Sequence, residues 1–403
     1  MTNNSPGNAK KLCFLAVYVS FILALSIITN GCADDPSSLG LKFIPPGDTT
    51  GIKIFDSRID TMPITFTSIR KYINTNTSGN LIVGQNNNNY SSKGLIKFTQ
   101  LDNNHDSATV NSATLTLTYR NYYFPVSTAD SLAQVSFDVY TVNQNMDYSS
   151  FTVDSIQTST FGTTSQGNYT GIPTADTQEV TISLNPSMVK DWLEYAANNS
   201  YPVVNNGMVL SPNPSSAVLK AFYSSIPGNG NVRPALTIIS TKNGVTDTMI
   251  TREGLTFSLV TGTPASFSEV FPVQSGIMYI ENLKFDLSHI PSTATINDAQ
   301  IFLSLDSINS KFTSQTVKRI AASYGSDTAG NSEQPVSYFY GDPLASGSNV
   351  YSIRIINPFQ RWLQGQTNNG LQLTSFNQNV DLDLFYFYNL SAADVNRRPY
   401  VII

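Results

Sequence analysis

The sequence predicts an all-β protein made of two tandem jelly-roll-like β-sandwiches, each interrupted by one short helix. Three observations predict it. One composite motif occurs twice, period-two alternation recurs between polar turns, and only 13% of residues are charged while Ser, Thr and Asn abound. The first motif copy runs Asn185-Pro186, Trp192, Asn205-Asn206-Gly207-Met208-Val209-Leu210 and Arg233-Pro234-Ala235-Leu236. The second runs Asn357-Pro358, Trp362, Asn368-Asn369-Gly370-Leu371-Gln372-Leu373 and Arg398-Pro399-Tyr400-Val401, so the copies hold both tryptophans of the chain. Upstream, 108–117 (ATVNSATLTL) matches 294–303 (ATINDAQIFL), and Asp60-Thr61-Met62 matches Asp247-Thr248-Met249. A length of 403 residues exceeds what one core usually supports. The expected organisation is a leader over 1–31, a tether over 32–51, a first sandwich over 52–241 and a second over 242–403.

The leader has a basic start, Lys10-Lys11, and an apolar run over 12–28 that is short for a membrane span. It ends in Ile28-Thr29-Asn30-Gly31-Cys32, which resembles a bacterial lipobox with Thr29 in place of the usual Leu. That resemblance implies cleavage before Cys32 and diacylation of its thiol, giving attachment to a membrane through an N-terminal lipid. Cys13 leaves with the leader, so no disulfide is expected and packing alone must stabilise the body. The formal charge of −5 becomes −7 once Lys10 and Lys11 are lost. A mild acidic excess without basic clusters argues against nucleic acid as a partner. In the tether, Asp34-Asp35 follow the cysteine and resemble an export signal for the outer face of the outer membrane, and Pro45-Pro46-Gly47-Asp48 suits neither a helix nor a central strand.

From Ile52 onward the strands can be read in order. Ala113, Leu115, Leu117 and Tyr119 face one way and Thr114, Thr116, Thr118 and Arg120 the other. Val135, Phe137 and Val139 repeat the pattern, as do Val180, Ile182 and Leu184, and Ile301, Leu303 and Leu305. Asn185 can cap the first helix with Pro186 at its first position, and Val189, Trp192, Leu193 and Ala196 then share a face. Asn357 and Pro358 begin the second, which presents Phe359, Trp362 and Leu363 and ends near Gly365. Each Trp is expected to plug one end of its sandwich. The Asn-Asn-Gly steps at Gly207 and Gly370 then make tight turns, Arg-Pro starts the last strand of each copy, and Thr241-Lys242-Asn243-Gly244 is the expected junction.

These residues resemble the DNRLRE domain, an extracellular jelly roll grouped with carbohydrate-binding modules. The resemblance rests on Leu95-Ile96-Lys97-Phe98, Leu283-Lys284-Phe285 and the paired motifs above, over most of 53–403, though the naming motif is absent. The start of the tether, Asp34-Asp35-Pro36-Ser37-Ser38-Leu39-Gly40-Leu41, also resembles the lipoprotein family called domain of unknown function 4270. That second resemblance implies export and lipidation and no known activity. Together they imply a cell-surface outer-membrane lipoprotein.

Catalytic chemistry finds little footing. His105 and His289 stand alone in the loops before the matched strands, so neither metal nor nucleophilic catalysis has converging groups. Ser187 and Lys190 fit Ser-x-x-Lys without its companion motifs. The carboxylate pairs Asp102 with Asp106 and Asp381 with Asp383 are the candidates for glycoside hydrolysis, and the second pair reads as solvated. Asp102-Asn103-Asn104-His105-Asp106 lacks the glycine and distal glutamate of a calcium loop. No cofactor, no metal and no enzyme activity are expected.

The aromatic runs are more informative. Tyr122-Tyr123-Phe124, Tyr338-Phe339-Tyr340 and Phe385-Tyr386-Phe387-Tyr388 put rings on both faces of extended segments, so some must leave the core. Tyr122, Tyr123, Tyr338, Tyr340, Tyr386 and Tyr388 are therefore candidates to stack on sugar rings, with packing between the sandwiches as the competing explanation. Thr61, Ser107, Ser131, Ser155, Thr248, Ser307 and Thr328 each follow an Asp and precede an apolar residue, which resembles a bacterial O-glycosylation sequon. The expected function is a non-catalytic, lipid-anchored envelope protein that binds polysaccharide. A structural or adhesive component binding envelope proteins is the alternative, and a polysaccharide hydrolase a minor one.

Overall fold

Alternating apolar and polar side chains carry most of the chain into strands with one face turned to a core. The computed structural model describes residues 53–403 apart from 61, 87–89, 127, 253, 325–336 and 380. The leader, Cys32 and the tether lie outside the described residues. Strand accounts for 42% and helix for 12%. In chain order the strands are β1 (Ile64–Arg70), β2 (Asn80–Gln85), β3 (Ser91–Phe98), β4 (Thr109–Phe124), β5 (Val135–Thr141), β6 (Gly167–Gly171), β7 (Glu179–Leu184), β8 (Met208–Pro212), β9 (Leu219–Tyr223), β10 (Ala235–Lys242) and β11 (Val245–Thr251). They continue as β12 (Gly254–Thr261), β13 (Val270–Gln274), β14 (Tyr279–Phe285), β15 (Gln300–Ser304), β16 (Ile320–Tyr324), β17 (Ser337–Pro343), β18 (Val350–Arg354), β19 (Leu371–Ser375), β20 (Leu384–Tyr388) and β21 (Tyr400–Ile402). Helix α1 (Pro186–Ala197) lies between β7 and β8, and α2 (Ile356–Leu363) between β18 and β19.

Among the described residues the strands form two curled antiparallel sheets, each making a sandwich-like half. The first follows the order β11-β10-β4-β9-β2-β3-β8-β5-β6, with β7 also on β4 and β12 also on β3. The second follows β20-β13-β14-β19-β16-β17-β18-β15-β21, with β1 also on β14. Strand β4 shows how the first sheet curls: its N-terminal part pairs with β10 and β7, its C-terminal part with β9, and the register shifts between Tyr119 and Tyr122. Asn121 sits at that shift with φ 49°, a bulge that bends the strand.

Each half has its own core. Leu115, Leu117, Phe137, Ile182, Leu210 and Phe222 belong with Trp192 in the first, and Leu303, Ile353, Leu371, Phe385 and Phe387 with Trp362 in the second. The first helix starts as its sequence requires. Asn185 accepts the Ser187 amide at 3.0 Å, Pro186 opens the helix, and Met188, Val189, Trp192 and Leu193 are buried. The second departs by two residues: Ile355, not Asn357, precedes the first helical residue, which puts Pro358 in the first turn, where amides have no intrahelical acceptor. It ends as expected, with Gly365 at φ 91° donating to the Trp362 carbonyl.

The strongest internal symmetry is in the Asn-Asn-Gly turns. Asn205 Nδ2 donates to the Phe98 carbonyl at 3.0 Å and Asn368 Nδ2 to the Phe285 carbonyl at 2.7 Å. Each Asn Oδ1 accepts the amide of the glycine two residues on, at 3.1 Å in both copies. Gly207 and Gly370 adopt φ 92° and 90°, and a Cβ on either would lie within 3 Å of a carbonyl of the facing strand. The motif is therefore a clamp between two strands, not a plain reversal of direction.

The two copies trade strands. β1, from the first copy, pairs with β14 of the second over Ile64↔Phe285 to Arg70↔Tyr279. In return β12 pairs with β3 of the first over Gly254↔Phe98 to Thr261↔Ser91. Phe98 and Phe285 are the matched residues of the two copies, so the exchange is reciprocal. The Asn243-Gly244 step, at the expected junction, is a tight hairpin turn with φ 52° and 79°. It keeps β11 on β10 and hence on the first half. The chain crosses between halves after β1 and again after β12.

Between the halves runs a seam of Ile82, Tyr122, Phe124, Leu219 and Ala221 from the outer face of the first sheet, Val260 from β12, and Ile277 and Leu382. Loop residues of the second half reinforce it: Val126 donates to the Phe312 carbonyl at 2.8 Å, and Tyr123 to Ser314 Oγ at 3.1 Å.

Candidate functional site

Strand β16 reads Ile-Ala-Ala-Ser-Tyr. Its inward residues Ile320, Ala322 and Tyr324 belong to the second core, which leaves the small Ala321 and Ser323 on the opposite face. Opposite them in register stand Tyr340 and Tyr338 of β17 on one side and Thr374 and Gln372 of β19 on the other. A central strand of small side chains between taller ones makes a trough. The segment 71–74, leaving β1, and the turn after β19 raise its walls, giving an open cavity of about 560 Å³ lined by Tyr72, Tyr338, Tyr340, Phe376, Lys71, Asn74, Gln378 and Asn379 around Ala321.

The rings are held while their faces stay available. Tyr338 and Tyr340 are 49% and 52% exposed, whereas Phe339 between them packs on the second core. Tyr340 meets Phe376 edge to face at 5.3 Å. The Arg319 guanidinium lies 5.4 Å from Phe376 and 5.8 Å from Tyr340, and its Nε donates to Asp342 Oδ1 at 2.7 Å. Arg70 lies over Tyr72 at 4.5 Å. Partial burial, then the neighbouring Tyr340, push the Tyr338 phenol up. The walls are anchored, with Asn379 Nδ2 donating to Thr77 Oγ1 at 3.0 Å and Asn74 Nδ2 to the Phe151 carbonyl at 2.7 Å. The trough therefore offers preformed aromatic surface edged by amide side chains.

The six candidate tyrosines do not converge. Tyr338 and Tyr340 share the trough. Tyr122 is 0% exposed because the second half covers the face of β4 from which it projects, and Tyr386 is buried with its hydroxyl donating to the Ala265 carbonyl at 2.7 Å. Neither can meet a surface ligand. Tyr123 packs against the first core, and Tyr388 accepts a hydrogen bond from Arg397 at 2.6 Å beneath its guanidinium. Alternation predicted that some rings leave each core; it could not say that a second half covers them. Tyr72 and Phe376 went unnoticed because each is an isolated ring in an irregular segment.

The carboxylate pair Asp381 and Asp383 is buried, which corrects the solvated reading. The two precede β20 in a segment packed into the seam, where Asp383 accepts the Thr313 amide at 2.7 Å and the Thr316 hydroxyl at 2.5 Å, and Asp381 accepts Asn377 Nδ2 at 2.7 Å. Burial, then the Asp383 charge, push Asp381 up to about 7, and burial also raises Asp383. Asp102 caps the turn at Asn104, and Asp106 pairs with Lys242 at 2.6 Å. His105 is half-buried against Ser240 Oγ at 2.9 Å, while His289 is exposed. Among the described residues no three His, Cys, Asp or Glu side chains gather as metal ligands would.

Of the Asp-preceded hydroxyls, Ser107, Thr248 and Ser307 are exposed and Ser131 and Ser155 half-buried; Thr61 and Thr328, like Cys32, lie outside the described residues. Arg233 and Arg398 each brace the loop before the closing Pro234 or Pro399, donating to the Gly230 and Ala392 carbonyls at 2.9 Å. No helix among the described residues is long and apolar enough to cross a membrane. Compared with known proteins, the chain matches no family model, no curated protein and no solved structure.

Proposed function

We propose that the protein is a non-catalytic, lipid-anchored component of the bacterial cell envelope that binds a polysaccharide chain in the β16 trough. The observation that carries this reading is the pair Tyr338 and Tyr340, half-exposed beside Tyr72 and Phe376 over a floor of small residues. Pyranose rings present flat C–H faces that stack on such rings, and amides such as Gln378 at the rim suit sugar hydroxyls. An open trough accepts a segment within a chain, whereas a closed pocket would favour a terminal sugar. The lipobox-like step at Cys32 supports attachment to the membrane, and the resemblance to the lipoprotein family called domain of unknown function 4270 supports display on the outer membrane. A glycan array probed with residues 33–403 tests the reading. Retention that falls in Tyr338→Ala and Tyr340→Ala supports it, and an array without binding rejects it.

The adhesive alternative has one observation in its favour. Strand β11 ends the order of the first sheet and is exposed along most of its length, including Val245 and Ile250. An open apolar edge is a template for strand addition by a protein partner. Crosslinking in intact cells through a residue placed on β11 distinguishes this from the trough.

A further inference from the structure

A second cavity of about 590 Å³ opens between β1 and the segment leading into β13, lined by Phe66, Ser68, Phe267, Tyr279, Glu281 and Asn389 among others. It shares no lining residue with the trough. Its unusual member is Glu281 on β14, which is 1% exposed. One carboxylate oxygen accepts the Ser68 hydroxyl at 2.5 Å, the two residues facing each other across the exchanged pair of strands. Among the described residues that is the carboxylate's one hydrogen bond, and none of their cations lies within ion-pair distance. Arg70, the nearest cation along β1, is engaged elsewhere: it donates to the Gly262 carbonyl at 3.3 Å and lies over Tyr72 and Tyr279. Lys284, three residues along β14, is exposed and projects to the other face of the strand.

A buried carboxylate without a counter-ion is costly, and a ligand that brings the missing positive charge removes the cost. Around this one the walls are aromatic. Phe66 stacks at a tilt on Phe271 at 5.3 Å, and Phe267 meets Tyr386 edge to face at 5.3 Å, leaving Phe267 substantially exposed at the mouth. Rings and one carboxylate are the chemistry that recognises an alkylammonium ion, through ring faces on its stem and charge at its head. We propose that this cavity binds a primary ammonium group on an apolar stem, with Glu281 as its counter-ion, Ser68 as the residue that orients the carboxylate, and Phe66, Phe267 and Tyr279 as the walls. The site exists only because β1 is donated to the second half: Phe66 and Ser68 come from one copy and Glu281 from the other.

The empty site should hold a proton that the ligand displaces. Burial pushes Glu281 up to about 7, against which the Ser68 hydrogen bond works in the other direction. Below that pH the ligand must displace the proton, so affinity should rise roughly tenfold between pH 6 and pH 8 and then level off.

The test is calorimetric titration of the folded chain with n-butylamine, n-butanol and Nα-acetyl-lysine methylamide. Saturable binding of either amine, with that pH dependence and no binding of the alcohol, supports the proposal. Tighter binding of the lysine derivative assigns the site to a polypeptide side chain, and tighter binding of butylamine to a small free amine. Glu281→Gln mimics the neutral acid and should not lower the thermal midpoint while losing at least tenfold in amine affinity. Amine binding that survives Glu281→Gln, equal binding of butanol, or no binding of either amine overturns it.

Discussion

The Phe55 amide donates to the Ile403 carbonyl at 2.9 Å, and the Ile403 amide returns the bond to Phe55 at the same distance. The first described strand-forming residues thus lie beside the last strand of the second half, as β11 lies beside β10 in the first. With the β1 and β12 exchange, this means that the entire opening segment of each copy completes the sandwich of the other.

Strand exchange predicts where damage should spread. Phe257 of β12 is buried with Leu95 and Val209 and meets Tyr148 edge to face at 5.0 Å. Phe257→Ala should cost about 3–5 kcal/mol, as truncation of a packed aromatic does. Hydrogen exchange should show lost protection in β3 and β8 of the first half; loss confined instead to β13 and β14, its neighbours in sequence, would refute the exchange.

The Asn clamps should be equivalent in the two copies. Asn205→Ala and Asn368→Ala each deprive a strand carbonyl and a glycine amide of a partner, a loss of about 1–3 kcal/mol apiece. Gly207→Ala and Gly370→Ala should also destabilise, because an added Cβ meets the facing carbonyl at a positive φ. Urea midpoints of the four variants check this. Unchanged midpoints in either copy would show that its clamp is idle.

Exposure separates the tyrosines by effect. Tyr338→Ala and Tyr340→Ala should shift stability by no more than about 0.5 kcal/mol, being surface changes. Tyr122→Ala opens the seam and should cost about 3–5 kcal/mol. Thermal melts of these three variants, read beside their glycan retention, distinguish a binding surface from a packing one.

Stability should fall as pH rises through neutrality. Asp381 and Glu281 are both pushed up to about 7 by burial, so the fold binds protons more tightly than the unfolded chain does. Their contribution is fully present below the ordinary carboxyl range of about 4 and is lost as pH rises through about 7. Urea midpoints should therefore be higher at pH 5 than at pH 8. Asp381→Asn should flatten part of that slope; an unaltered slope would remove Asp381 from its origin.

Much of this was legible in the chain. Period-two alternation is a local property, so the strands through Leu115, Phe137, Ile182 and Leu303 could be read directly, and the Asn-Pro-Trp stretches announced a capped helix carrying an indole into each core. Repetition of a whole motif likewise identified two like-built halves. Pairing partners were another matter. The sequence of β1 is compatible with either half, because β3 and β14 are matched strands that offer the same edge; only closure of the whole sheet decided which accepts it. Burial of Tyr122, Asp381 and Asp383, exposure of Tyr338 and Tyr340, and the meeting of Ser68 with Glu281 follow from that choice. Alternation assigns a residue to a face of its strand, but what covers that face is set by segments far away in the chain.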